Sequence, residues 1–290
     1  MEKMLGLIGF GEAGCTFATA GGWGEARVYD RLTDDVSTRE AKRAEYAALG
    51  MAGCDSLADA VHGASIILSL VTADQAMGVA AAAAATIAAG TLYCDLNSVA
   101  PDTKREGAKL IDAAGGHYVD VAVMAPVDPA RLSVPLLVSG GEADRAKAAL
   151  AALGFAKIEI VGKEIGRASS IKMIRSVMAK GIEALTAECV LAAHAAGVSA
   201  EVLASLDASD KPKSWVERAD YNLDRMMIHG LRRAAEMEEV VKTLDALGTG
   251  SAMTQGTVER QRAIGLLGLK RPAQGLSAKI GQIDQNRAQA

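Results

Sequence analysis

The feature that most constrains this chain is a change of pattern part-way along it. From Met1 to about Lys163, short β-branched runs alternate with Ala-rich helical stretches; after Gly166 the strand signals stop. Met4–Ile8, Arg27–Asp30, Ser65–Val71, Thr91–Leu96, His117–Val121, Val134–Ser139 and Lys157–Val161 read as strands. Glu12–Ala20, Thr38–Leu49, Ala73–Ala89, Pro101–Ala114 and Glu142–Leu153 read as helices. Alternation of this kind predicts a doubly wound, mainly parallel α/β sheet over residues 1–164. The strands are nearly all apolar, as expected for strands covered on both faces.

The second half follows another rule. Ala168–Ala196 has no proline, one glycine (Gly181), and apolar residues at helical spacing: Ile171, Ile174, Val177, Met178, Ile182 and Leu185. It reads as one helix of about 29 residues, roughly 43 Å long at ~1.5 Å per residue. Such length is expected of a helix joining two domains. Ser199–Ala290 is helical in pattern, with breaks at Pro212, Gly248–Gly250 and Pro272, and the polar Asp284–Ala290 is expected to fray. Residues 165–290 therefore read as an all-α domain.

Composition narrows the class. Half of the residues are hydrophobic, ample for a core, which excludes disorder throughout. With 31 Lys+Arg against 35 Asp+Glu the formal charge is −4, which argues against nucleic acid or an anionic membrane surface as the main partner. No run of about 20 apolar residues predicts a membrane span. The apolar start Met4–Phe10 runs into Gly11-Glu12 rather than a cleavage site, so no signal peptide is expected. Cys15, Cys54, Cys94 and Cys189 are far apart and form no C-x-x-C pair. They read as small buried hydrophobes in a reducing cytoplasm. No H-x-x-x-H or H-E-x-x-H spacing occurs, so no metal is expected.

Gly9-Phe10-Gly11-Glu12-Ala13-Gly14 follows the first strand and opens the first helix. In that context G-x-G-x-x-G is a dinucleotide fingerprint, and the α/β half reads as a Rossmann domain. Gly9 allows the tight turn, Gly11 the approach of a pyrophosphate, and Gly14 close packing of helix on sheet. Gly9, Phe10, Gly11, Glu12 and Ala13 are thus cofactor candidates. Asp30 ends the second strand about 20 residues past Gly11, where a carboxylate accepts from an adenosine ribose and repels a 2′-phosphate. This favours NAD. Arg31 beside it would suit a 2′-phosphate and keeps NADP open. Val71, Thr72, Asn97 and Ser98 end two further strands and face the ligand crevice that lies beyond strand carboxyl ends. Ser98 also reads as a helix cap before Pro101.

Lys172, near the start of the long helix, shares a stripe with Ser176, Lys180 and Glu183. A lysine held against an apolar surface loses basicity and serves as a general acid or base; alternatively it snorkels to solvent. On Arg225–Val241, the residues Arg225, His229, Arg232 and Glu236 fall on one face with Arg233 beside them. Arg232 or Arg233 would grip a substrate carboxylate, with His229 nearby; the other reading is a solvated face with Arg232–Glu236 paired at i,i+4. Trp215 reads as a core or interface anchor, or as a wall of a substrate pocket.

Taken in order, Gly9–Gly14, Asp95–Pro101, Asp120–Pro126 and Lys172 resemble the β-hydroxyacid dehydrogenase family, which includes 3-hydroxyisobutyrate dehydrogenases and relatives of 6-phosphogluconate dehydrogenase. The spacing from Lys172 to Glu188 and Gly197-Val198 is also similar. The segments Val123–Val127 and His229–Met237 resemble a branch with a divergent C-terminal domain. The resemblance implies a homodimer and an NAD(P)-dependent dehydrogenase acting on a β-hydroxy acid or its carbonyl form. It makes Lys172 the catalytic general acid/base and puts Ser98 near nicotinamide and substrate. The family's substrate loop D-x-P-V-S-G-G corresponds to Asp120–Pro126, making Val123, Met124 and Ala125 substrate-binding, with Ser176 in place of the family's asparagine. The missing serine points away from small 3-hydroxyisobutyrate-like substrates. With 3% aromatic residues, recognition is expected through charge, backbone groups and small apolar walls. Imine reductases share the architecture but usually lack the lysine; sugar-acid oxidative decarboxylases share both. A non-catalytic dinucleotide-binding protein is the alternative of another class.

Overall fold

The computed structural model describes residues 4–195, 197–209, 214–246 and 251–288. The chain runs β1 (Leu5–Ile8), α1 (Glu12–Gly21), β2 (Arg27–Tyr29), α2 (Val36–Ala48), β3 (Ala52–Gly53), α3 (Leu57–Val61), β4 (Ile66–Ser69), α4 (Ala76–Ala84), β5 (Leu92–Asp95), α5 (Pro101–Ala113), β6 (His117–Val123), β7 (Leu136–Ser139), α6 (Ala143–Ala152) and β8 (Ile158–Gly162). Helices α7 (Arg167–Ala195), α8 (Ser199–Ser209), α9 (Trp215–Ala246), α10 (Ala252–Gly265) and α11 (Leu276–Arg287) follow. Two compact units result, residues 1–173 and 174–290.

The first unit is one eight-stranded sheet of order β3-β2-β1-β4-β5-β6-β7-β8. All neighbours are parallel except β6–β7. Period-two alternation sends side chains to opposite faces: Leu5, Leu7, Ile66, Leu68, Cys94, Val119 and Val121 enter one core, and Ile8, Ile67, Tyr93 and Tyr118 the other. Burial pushes the Cys94 thiol up to about 12, an inert thiol as expected. Strand order reverses between β1 and β4, the switch point at which such sheets bind ligands.

Several elements differ from the sequence reading, each for a local reason. β4 stops at Ser69 because the Val71 N–H turns to Asn97 Oδ1 instead of a ladder carbonyl. β2 stops at Tyr29 because Asp30 caps the short helical turn Arg31–Thr33. β6 runs on to Val123 because it pairs with β7. The expected helix Ala73–Ala89 is a 3-10 turn, Ala73–Gln75, then α4. Its end turns so that Ile87 enters the core. β3 and α3 are too short to leave a periodic signal. The Asp284–Arg287 stretch is helical rather than frayed, held in register by buried Ile283.

The second unit holds helices joined by loops, with no strand among its described residues. Its core includes Val190, Leu203, Leu223, Met226, Ile264, Ile280 and Ile283. α9 and α10 cross with backbones almost touching: a Cβ on Gly230 would lie 2.4 Å from Gln261 O, and one on Gly265 2.5 Å from Leu231 N. Chain breaks expected at Pro212 and Gly248–Gly250, and the side chains of Leu185, Glu188, Cys189 and Trp215, lie outside the described residues. Among the described residues, no helix is long and apolar enough to cross a membrane.

The crossing makes a contrast. Gly230→Ala should destabilise by about 1–3 kcal/mol or more through overpacking. Gly256→Ala, with nothing within 4 Å of its Cβ, should stabilise by about 0.5–1 kcal/mol. Denaturation midpoints measure both, and equal midpoints would count against the crossing.

Candidate active site

The site in the first unit begins at the β1 turn. Gly9 has φ +92° and donates its N–H to Tyr29 O at 2.8 Å. A Cβ on it would lie 2.4 Å from Leu70 O, so the turns after β1 and β4 touch through glycine. A Cβ on Gly14 would lie 2.3 Å from Gly9 O, which is why α1 starts so close to the sheet. Gly11 is different: no heavy atom lies within 4 Å of its Cβ position. The fold does not need glycine there, whereas a group approaching the backbone does. The first i→i+4 bond of α1 is Cys15 N–H to Gly11 O, and Gly11 supplies no side-chain cap. The N–H groups of Glu12, Ala13 and Gly14 thus lack intrahelical acceptors and face an anion-binding position. These residues fit a dinucleotide's pyrophosphate.

Phe10 enters through its backbone only. Its ring is fully buried, edge-on to Tyr46 at 5.3 Å. Its peptide is held from both sides: the N–H donates to Asp30 Oδ2 at 2.8 Å and the carbonyl accepts from Lys42 Nζ at 2.8 Å. Asp30 Oδ1 accepts from the Leu32 N–H at 3.0 Å. The carboxylate read as a ribose acceptor is therefore also a clamp on the glycine loop. Arg31 is exposed. Across the crevice, hydrogen bonds from Thr72 and Gln75 hold the Asp74 carboxyl below its usual range, with a smaller contribution from Arg31.

Asn97 ties two strand ends together. Its Oδ1 accepts from Val71 N at 2.6 Å and its Nδ2 donates to Ser69 Oγ at 3.0 Å. Its side-chain amide thus serves the protein's own backbone and hydroxyl, a role the sequence reading did not assign. Next to it, the Ser98 Oγ accepts a hydrogen bond from Lys172 Nζ. Lys172 and Ser98 are each partly buried.

A buried polar network lies beneath that pair. Asp95 and Asp120 stand side by side on β5 and β6. Lys104 Nζ, fully buried, donates to Asp95 O at 2.6 Å and Asp95 Oδ1 at 2.9 Å, and lies 3.6 Å from Asp120 Oδ1. Asp95 Oδ1 also accepts from Asn97 N, and its Oδ2 from Tyr118 OH. Burial first, and the Asp95 charge next, push the Tyr118 phenol well above its ordinary range. Asp120 Oδ2 accepts from Gly166 N at 3.1 Å, Ser169 N at 3.0 Å and Ser169 Oγ at 3.0 Å, while Ser139 Oγ accepts from Ala168 N at 3.1 Å. Helix α7 is thus capped by side chains of β6 and β7. Lys104 and the capping role of Asp120 escaped the sequence reading, since no local pattern pairs residues so far apart.

The expected substrate loop is shorter than its sequence suggested. Val123 is a ladder residue opposite Leu136, and the Met124 N–H donates to Pro135 O at 2.9 Å. Val123 is thus fixed by the ladder and the Met124 amide is committed to the hairpin, so exposed loop begins at Ala125.

The remaining candidates belong to the helical unit. Ser176 is buried. Arg233 is buried and paired with Glu183, which also accepts from Gln261 Nε2 at 3.1 Å. Burial raises the Glu183 carboxyl above its ordinary range despite Arg233, and lowers Arg233 in turn. Lys180 pairs with Glu236 at 2.6 Å. Arg232 makes the i,i+4 pair with Glu236, also at 2.6 Å, and is half exposed. The reading of Arg233 as a ligand clamp is corrected: its guanidinium neutralises a buried carboxylate. His229 is partly buried on the same helix. Among the described residues, no group of three or more His, Cys, Asp or Glu side chains is placed to hold a metal.

Residues 4–162 match the family described as the NAD binding domain of 6-phosphogluconate dehydrogenase. The chain belongs to that family. A second match, to a domain of unknown function (DUF1932), covers residues 193–264. A conserved hypothetical protein of Sinorhizobium meliloti 1021 is 36% identical, over 99% of this chain and 97% of its own, with TM-score 0.74. A Methanothermus fervidus protein described as an uncharacterized 28.5 kDa protein in the 7S RNA 5′ region is 29% identical over 82% of this chain and 89% of its own. The fold is shared with Mycobacterium tuberculosis 3-hydroxyisobutyrate dehydrogenase, solved with L-serine: TM-score 0.73, 18% identity, 98% and 99% coverage. Membership in the 6-phosphogluconate dehydrogenase NAD-binding family gives the glycine loop its ligand class, a nicotinamide dinucleotide, and makes the chain a dinucleotide-dependent oxidoreductase by family.

Two glycine variants separate architecture from ligand binding. Gly9→Ala should cost about 1–3 kcal/mol, because alanine is strained at that φ and clashes with Leu70. Gly11→Ala should leave the denaturation midpoint within about 0.5 kcal/mol and weaken dinucleotide binding about tenfold, or ~1.4 kcal/mol. Unchanged dinucleotide affinity in Gly11→Ala would remove the pyrophosphate from this loop.

Proposed function

We propose that this chain is an NAD-dependent dehydrogenase that moves a hydride between nicotinamide and a β-hydroxy acid or its carbonyl form, with Lys172 as general acid/base. The observation carrying this reading is the Lys172–Ser98 hydrogen bond, at the carboxyl end of β5 and in the same unit as the glycine loop. The bound dinucleotide supplies the hydride acceptor for alcohol oxidation and the donor for carbonyl reduction. In oxidation the Lys172 amine takes the hydroxyl proton as the C–H bond yields its hydride; in reduction Lys172 returns that proton to the carbonyl oxygen. Ser98 orients the lysine and contacts the substrate oxygen. Such proton transfer is worth roughly 10²–10⁴ in rate.

NAD is preferred over NADP on the strength of Asp30, which ends β2 held by the Phe10 and Leu32 amides and keeps lone pairs for a ribose. Ala125, at the start of the exposed loop, is the remaining substrate contact within the first unit. We further propose a cytoplasmic homodimer. Ile171, Ile174, Met178 and Ile182 form an exposed apolar stripe along α7, 37–64% accessible, of the kind that marks an interface.

A screen of hydroxy acids and semialdehydes with NAD and NADP in both directions tests the reaction. Lys172→Ala should lower kcat by roughly 10²–10⁴, with dinucleotide Kd within about threefold, or ~0.7 kcal/mol. Cofactor binding without turnover on any acid would favour a non-catalytic dinucleotide protein, and normal turnover in the variant would sink the lysine's role. For the assembly, Met178→Asp should convert a dimer to a monomer in sedimentation velocity; a wild-type monomer would end that part of the proposal.

A further inference from the structure

The buried network beneath the Lys172–Ser98 pair has a single cation at its centre. Asp95 and Asp120 lie in register on adjacent parallel strands, each almost fully buried. Two carboxylates so placed repel strongly in a low dielectric unless a cation joins them. Lys104, on the first turn of α5, supplies it and has no exposed surface. It touches both carboxylates. One of them, Asp95, organises the turn that carries Ser98, by accepting from Asn97 N. The other, Asp120, caps the turn of α7 that precedes Lys172, by accepting from Gly166 N, Ser169 N and Ser169 Oγ.

We propose that Lys104 is the positioning residue that sets Lys172 against Ser98, by holding together the two carboxylates that fix the backbone on either side of the pair. The proposal rests on the reading of Lys172 as acid/base for its effect on rate. Its structural part stands alone. Lys104 has no exposed surface, so it touches neither substrate nor cofactor and is not itself catalytic. The leverage is geometric: displacing a catalytic group by ~1 Å costs up to about 10²-fold in rate. Loss of Lys104 leaves two buried carboxylates facing one another, and relief by separation of the β5 and β6 ends loosens the cap on α7.

The test combines kinetics with amide hydrogen exchange. In Lys104→Met, kcat should fall about 10- to 100-fold, while KM for the acid and Kd for NADH, read by fluorescence titration, stay within about threefold, or ~0.7 kcal/mol. Exchange at Gly166, Ala168 and Ser169 should quicken at least about tenfold, or ~1.4 kcal/mol of lost protection, with Cys15 at the glycine loop unchanged. Should Lys104→Met fail to fold, Asp120→Asn and Asp120→Leu decide. Asparagine keeps an oxygen for the Ser169 amide and should retain much of the slow exchange and of kcat; leucine should retain neither. Unchanged kcat and exchange in Lys104→Met would overturn the proposal, as would equal exchange in the two Asp120 variants. If the wild type turns over no acid yet exchange follows the expected order, the positioning network is supported and only the assigned reaction fails.

Discussion

Helix α7 begins on side chains that belong to the sheet. A helix leaves its first N–H groups without partners, and these usually go to a neighbouring cap residue or to water. Here the Arg167 N–H reaches Glu164 O, that of Ala168 reaches Ser139 Oγ, and that of Ser169 reaches Asp120 Oδ2. The negative carboxylate of Asp120 also lies at the positive end of the helix dipole. The first two turns of α7 therefore move with β6 and β7. That places the boundary between compact units after Met173 rather than at the end of the last strand. Lys172 takes its position from this attachment.

The glycine loop shows the same economy at the other end of the crevice. Asp30 and Lys42 hold the Phe10 peptide from opposite sides, and the Phe10 ring anchors the loop in the core. Gly9 and Gly14 are glycine because the protein itself fills the space a side chain would need, whereas Gly11 is glycine beside open space. Three glycines of one motif thus answer to two causes, internal packing and the approach of a ligand. In the helical unit, Glu183 and Arg233 neutralise each other among packed helices. Such a pair is weak evidence of added stability, but removing one partner alone is costly.

Much of the architecture was legible in the residues themselves. Strand-length apolar runs separated by amphipathic helices can fold only as a layered α/β sheet, and the 29-residue span without proline had to be one helix. The glycine spacing and its place after β1 carried the ligand class. Lys172 and Ser98, singled out for separate reasons, share a hydrogen bond. The losses have a common cause. Arg233 looks the same as Arg232 along the chain, yet one faces Glu183 in the interior and the other faces solvent. Val123 and Met124 looked like loop because their partners, Leu136 and Pro135, come from a strand whose antiparallel pairing leaves no local mark.

The sequence by itself determined the sheet, the long helix and the dinucleotide loop, because each follows from periodicity or from a steric demand within a few residues. Only the tertiary structure decided which polar residues are accessible and which are locked in pairs. Lys104, Asp95 and Asp120 meet through strand order and register, and Asp120 meets Ser169 across a separation of 49 residues. Contacts of that kind are set by how strands and helices stack, and a linear pattern of residue types does not encode which distant charge will compensate which.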